Sequence, residues 1–154
     1  MLSEVNLKKF EELKKRYPTL KALILPVLWM IQEQEGYISM ESMRYVSELL
    51  KVPYGHVFGV VSFYTMFHQR PVGKHHIQLC TNISCSLLGA ERLYNRLTGK
   101  LKVKAGGVTS DKKFSLEEVE CLGSCGTAPM MMINGEFYEN LDEARIDRIL
   151  GMLK

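Results

Sequence analysis

Four residues in this 154-residue chain combine a reactive type with a telling spacing: Cys80 and Cys85, separated by four residues, and Cys121 and Cys125, separated by three. They are the chain's only cysteines. Small residues surround both pairs, with Thr81, Ser84 and Ser86 about the first and Gly123, Ser124, Gly126 and Thr127 about the second. Two close pairs on two loops form the pattern of one inorganic site, and small neighbours let backbone N–H groups approach sulfur. Three chemistries remain open. A [2Fe-2S] cluster needs four thiolates, two per iron, and is stabilised by N–H groups aimed at its sulfurs. On that reading Cys80 and Cys85 hold one iron and Cys121 and Cys125 the other. A tetrahedral zinc site would use the same four donors at spacings of two to four residues, although two intervening residues are commoner and neither pair has them. Thiol–disulfide exchange is the third option, and neither pair has its two-residue spacing.

Other chemistry-bearing side chains have plainer roles. His56, His68, His75 and His76 have no cysteine or carboxylate placed locally to orient them, so surface or capping positions are expected. Met130, Met131 and Met132 fall in a strand pattern and are expected to fill a core, as is Trp29 on a helical stripe. No glycine-rich nucleotide fingerprint occurs, and Gly106-Gly107 lacks the flanking spacing. The chain is therefore not expected to bind NADH, flavin or quinone by itself.

The elements that must position the cysteines follow from composition and periodicity. With 46% hydrophobic residues the chain can build a real core, and a formal net charge of +3 argues against nucleic acid or an anionic membrane as partner. The N-terminal stretch does not read as a secretory signal. The longest nearly apolar run, 22–31, is about half of the ~20 residues needed to span a bilayer. A soluble protein of the reducing cytoplasm is expected, where cysteines serve metals or redox chemistry rather than a disulfide framework.

Helical stripes run through the first half. Residues 3–16 carry Leu7, Phe10, Leu13 and Tyr17, and Pro18 ends the pattern. Thr19 is placed to cap a second helix bearing Leu23, Val27 and Ile31, with a kink expected at Pro26 and an end at Gly36. Ser39 caps a third, with Met43, Val46 and Leu50 on one side, and Pro53 opens a fourth with Val57, Val60 and Val61. These stripes are expected to pack helix against helix, with a partner surface as the alternative.

The pattern changes after Arg70. His76–Leu79 reads as a strand ending at Cys80, and Leu87–Leu97 as a helix capped by Gly99. Residues 99–113 read as an exposed connection, and Phe114–Cys121 as a second strand. Asn134-Gly135 marks a type I′ hairpin between Pro129–Ile133 and Glu136–Tyr138, and Asn140 with Glu143 suggests a capping box for a last helix. Each cysteine pair thus follows a strand end, where α/β sheets build their sites.

Set in their surroundings, these motifs resemble a known family. Cys80-Thr-Asn-Ile-Ser-Cys85 and Cys121-Leu-Gly-Ser-Cys125-Gly-Thr-Ala-Pro129, with the helical stretches Leu25–Ile38 and Val57–Phe67, are similar to the thioredoxin-like [2Fe-2S] subunit of NADH:quinone oxidoreductase, respiratory complex I. The likeness runs from about Tyr17 to the C-terminus. It implies an α/β fold, an N-terminal helical bundle in 1–73 followed by a thioredoxin-like [2Fe-2S] ferredoxin domain in 74–154. It implies one [2Fe-2S] cluster on Cys80, Cys85, Cys121 and Cys125. It also implies a tight partner, the flavin- and NADH-binding subunit, whose FMN exchanges single electrons with the cluster. The expected place is a cytoplasmic, peripheral part of a membrane-associated complex, with no direct membrane insertion and no nucleic acid. The same module could serve an NAD-linked hydrogenase or formate dehydrogenase, and a zinc-stapled interaction module is the rival of a different class.

Overall fold

The computed structural model describes residues 1–153. The chain divides into two compact units, Met1–Pro71 and a second from Val72 onward. Among the described residues no helix is long and apolar enough to cross a membrane.

The first unit is helical. α1 (Glu4–Lys14) starts at Ser3, whose hydroxyl accepts the Asn6 N–H. It buries Phe10, whereas Leu7 and Tyr17 are exposed. The expected kinked helix is instead two elements. Thr19 caps a 3-10 turn, Leu20–Leu23, and α2 (Ile24–Glu35) begins directly after it. Pro26 therefore lies in the first turn of α2, where the missing N–H has no intrahelical partner to lose. Gly36 ends α2 in the left-handed conformation, at φ 81°. Ser39 caps α3 (Met40–Leu50) by accepting the Ser42 N–H. Pro53 precedes α4 (Tyr54–Phe63) as its cap rather than its first residue. Leu23, Val27, Leu28, Ile31, Met43, Val46, Val57 and Val61 close the core. The Gln32 side chain then pins the following aromatic segment, donating to Met66 O and accepting from His68 N, both at 2.7 Å. Trp29 departs from expectation: it is 45% exposed, with Nε1 donating to Glu33 at 3.0 Å. Phe58, Phe63, Tyr64 and Met66 are also exposed.

The second unit is a five-stranded mixed sheet with helices. β1 (His75–Cys80), α5 (Ile83–Leu87), α6 (Ala90–Leu101), β2 (Gly107–Val108), β3 (Phe114–Val119), β4 (Met131–Ile133), β5 (Glu136–Tyr138) and α7 (Glu143–Met152) follow in order. The strand order is β2-β3-β1-β4-β5. β1 and β3 are parallel, joined through the helical crossover, and the other pairings are antiparallel. Ile77 and Leu79 of β1, Leu116 of β3, and Met131 and Ile133 of β4 pack with Leu93 and Leu97 of α6 and Ile146 and Ile149 of α7.

Three local expectations change here. The helix expected over 87–97 is split into α5 and α6, with Gly89 at φ 96° between them, and Gly99 lies inside α6 rather than capping it. The 99–113 connection contains β2, which pairs with β3. Asp142, not Asn140, caps α7, accepting Arg145 N–H at 2.6 Å. The hairpin is as expected: Asn134 and Gly135 both have positive φ, 50° and 89°, as a type I′ turn requires.

Candidate functional site

Parallel pairing brings the two cysteine segments to one end of the sheet. Cys80 is the last residue of β1 and stands in register with Val119, the last of β3. Chains leaving both strands therefore start side by side, Cys85 following on α5 and Cys121 and Cys125 following β3. All four cysteines are free of disulfides.

The two pairs meet different surroundings. Cys80 and Cys85 are buried at 3% and 2% exposure, packed with Ala90 and Met130. Cys121 and Cys125 are exposed. Burial pushes the Cys85 thiol above its ordinary value, and its hydrogen bond with Cys80 adds to the rise. An opposing hydrogen bond from the Met130 backbone lowers it, and negative charge on Cys80 or Cys125 would raise it further. Cys85 thus packs against Cys80 and feels the more distant Cys125 electrostatically, and a bound cation would favour ionisation of these thiols. Cys121 Sγ accepts the Gly123 N–H at 3.3 Å. Gly123 stands at φ 78°, a left-handed conformation that costs L-residues, whereas Gly126 has ordinary φ and open space about it. Among the described residues no three histidine, cysteine or acidic side chains are gathered closely enough to hold a metal ion. The donor chemistry nonetheless fits an iron–sulfur group: four thiols on two neighbouring loops, with a backbone N–H already directed at one sulfur.

Polar groups that the sequence did not single out hold the second loop. Ser124 precedes and Thr127 ends the 3-10 turn Cys125–Thr127, and Glu139, just after β5, accepts hydrogen bonds from both hydroxyls. The hairpin explains the meeting. Its turn folds the chain back so that Asn140 N reaches Thr127 O at 2.7 Å and Leu141 N reaches Pro129 O at 2.9 Å. Only the Asn134-Gly135 signal, extended along both strands, could have pointed to Glu139.

The histidine expectation also changes. His76 is buried, with Nδ1 2.8 Å from Ser115 Oγ and Nε2 3.0 Å from Glu117 Oε2, to which Gln78 also donates at 3.2 Å. Alternation places His76, Gln78 and Cys80 on one face of β1, and the register sets Ser115 and Glu117 beside them. His75 stacks against Phe114 at 5.4 Å between ring centres, and burial together with Lys74 and Lys113 holds its pKa below the ordinary value. Met130 and Met131 are fully buried, as expected.

A model of the thioredoxin-like [2Fe-2S] ferredoxin family matches residues 10–154. The chain is 39% identical over 148 residues to an NADH-quinone oxidoreductase subunit of Rickettsia prowazekii (strain Madrid E), a match covering 94% of this chain and 84% of that one. It is 39% identical over 135 residues to the corresponding NADH-quinone oxidoreductase subunit of Rhizobium meliloti (strain 1021), covering 88% and 80%. Its fold is similar to part of an air-oxidized NAD+-reducing [NiFe]-hydrogenase crystal structure, with a TM-score of 0.75 and 24% identity. That match covers 85% of this chain and 22% of the hydrogenase chain, so the present chain spans about a fifth of it.

Proposed function

From the premise that the chain belongs to the thioredoxin-like [2Fe-2S] ferredoxin family, we propose that it is the iron–sulfur electron-transfer subunit of an NADH:quinone oxidoreductase. Cys80 and Cys85 would hold one iron of a [2Fe-2S] cluster and Cys121 and Cys125 the other. The electron partner is the FMN of a flavin- and NADH-binding subunit, placed with this chain in the peripheral, cytoplasmic part of a membrane-associated complex. The helical domain spans 1–73, and the cluster domain 74–154.

The observation that carries this reading is the parallel β1–β3 pairing, which starts both cysteine loops from adjacent strand ends. When bound, a cluster of this kind takes up and gives back one electron at a time. The protein's own contribution is position and electrostatics. Buried Cys80 and Cys85 fix one side of the site in the core and keep water from it. The Gly123 N–H on Cys121 Sγ offsets thiolate charge, which raises the potential relative to an unbonded sulfur. Exposed Cys121 and Cys125 leave the other side open to a partner. Ile83, Leu87 and Leu88, 73%, 82% and 57% exposed, flank Cys85 with apolar surface that a docked subunit would cover. The chemistry at NADH belongs to the partner.

The full chain, purified without oxygen, decides the matter. A brown protein with equal amounts of iron and acid-labile sulfide, and an electron paramagnetic resonance signal on reduction, is the expected result. A colourless protein containing zinc overturns it. Mass spectrometry of the native complex identifies the partners, and hydrogenase or formate dehydrogenase subunits in place of the quinone-linked ones would reassign the machine while keeping the cluster.

A further inference from the structure

The second cysteine loop is held by a carboxylate outside the ligand set. Glu139 Oε1 accepts from the Ser124 hydroxyl and from Thr127 Oγ1, the latter at 2.6 Å, and the two hydroxyl oxygens are 2.7 Å apart. Ser124 is the residue before Cys125 and begins its 3-10 turn, yet its side chain makes no capping bond to that turn. Its hydroxyl is turned to Glu139 instead. An ionised carboxylate only accepts, so the two hydroxyl protons are drawn into a local network with Glu139 and the Ser124 carbonyl, which leaves backbone N–H groups as the donors available to sulfur. The Asn140–Thr127 and Leu141–Pro129 backbone bonds lock the same stretch from the same side.

We infer that Glu139 is a positioning residue for the cysteine site: through Ser124 and Thr127 it sets the loop at Cys125, and its negative charge lowers the potential of a cluster bound there. The inference rests on the cluster reading proposed above. Hydrogen bonds from Ser124 and then Thr127 hold the Glu139 carboxyl below the usual carboxylate range, and Arg145 acts in the same direction. The group is therefore ionised at neutral pH. Reduction adds a negative charge to the site, and a fixed anion nearby opposes it. Replacing Glu139 by a neutral isostere leaves Arg145 uncompensated, so the potential must rise.

The test compares the full-length wild-type chain with Glu139→Gln and Glu139→Ala by iron and sulfide content, electron paramagnetic resonance and redox titration. Glu139→Gln keeps the amide oxygen as acceptor, so cluster content and line shape stay as in wild type. Its midpoint rises, with about a tenfold change in the oxidised-to-reduced ratio at the wild-type midpoint, about 59 mV for one electron. Glu139→Ala also broadens the signal or loses iron, because the loop is released. A purely structural role would alter the alanine variant alone. An unchanged midpoint in Glu139→Gln overturns the inference, whether or not Glu139→Ala folds. Absence of iron and sulfide from the wild-type chain overturns the underlying cluster reading instead, and is seen before any variant is compared.

Discussion

The two cysteine loops occupy the same end of one sheet but are anchored by different physics. Cys80 ends a central strand and Cys85 lies on α5, so both are fixed by the packing that forms the unit, against Ala90 and Met130. Cys121 and Cys125 lie in an exposed segment whose regular structure is a single 3-10 turn, Cys125–Thr127, and whose conformation depends on Gly123 and on polar bonds to Glu139, Asn140 and Leu141. A redox site has two competing needs: exclusion of water, and access for the partner that delivers electrons. On the proposed reading, one pair would meet each need. The buried half is supported by the core, whereas the exposed half reaches that core through Leu122 and Ala128 and adds directed hydrogen bonds to Glu139, Asn140 and Leu141.

The contrast is broken most completely by cysteine substitution. If the proposed ligand set is right, Cys85→Ser and Cys125→Ser are each expected to lower cluster content, measured as iron and sulfide, but to differ in the metal-free protein. The buried serine lowers unfolding free energy by about 1–3 kcal/mol, as a hydroxyl replaces sulfur in an apolar setting. The exposed one changes it by less than about 0.5 kcal/mol. Equal denaturation curves for the two would erase the difference between the loops.

A charge on the exposed rim should separate partner binding from folding. Leu87→Glu, at a position 82% exposed, is expected to leave the melting temperature and cluster spectrum unchanged. Binding to the proposed flavin-bearing partner is expected to fall tenfold or more, about 1.4 kcal/mol or greater, in calorimetric titration. Wild-type affinity in this variant would move the docking surface elsewhere.

Within the second loop, the two glycines are not equivalent. Gly123→Ala forces an L-residue to φ 78° and costs about 1–2 kcal/mol, read as faster loss of cluster absorbance on heating. Gly126→Ala meets no atom within 4 Å and should behave as wild type.

The smallest effect concerns the helices that follow the two loops. Arg96 and Lys100 of α6 pair with Asp147 of α7, with Arg96 Nε 3.1 Å and Lys100 Nζ 3.0 Å from Oδ1. The Arg96 hydrogen bonds, and then Lys100, lower the Asp147 pKa to about 2. A depressed carboxylate contributes stability above its unfolded value of about 3.9, and that contribution is lost as pH falls through about 2. Thermal melts from pH 6 to pH 2 should therefore decline less steeply for Asp147→Asn than for wild type. Parallel declines would show that this bridge does not couple the helices.

Periodicity makes much of the architecture legible, for reasons tied to particular residues. Ser39, Gly36 and Asn134-Gly135 act through local backbone geometry, so their roles are readable from neighbours a few positions away. Trp29 escapes that reading because helical spacing assigns a stripe but not its width, and this residue sits beyond the buried edge. Pro26 falls in a first turn rather than a helix interior because the preceding turn is 3-10, which moves the helix start to Ile24. Two-residue β2 is too short to show alternation and exists through its pairing with β3.

By itself the sequence determined that four thiols stand in two close pairs, a matter of covalent identity and spacing, and it determined the change from helical to mixed architecture, since side-chain period is a local property. Only the tertiary structure decided which pair is buried and which exposed, that His76 meets Ser115 and Glu117, and that Glu139 holds the Cys125 loop. Those facts depend on strand register and on a hairpin returning the chain to its start. The parallel register of β1 and β3 is not set by a local turn, since a helical crossover joins them, so packing across that crossover decides it.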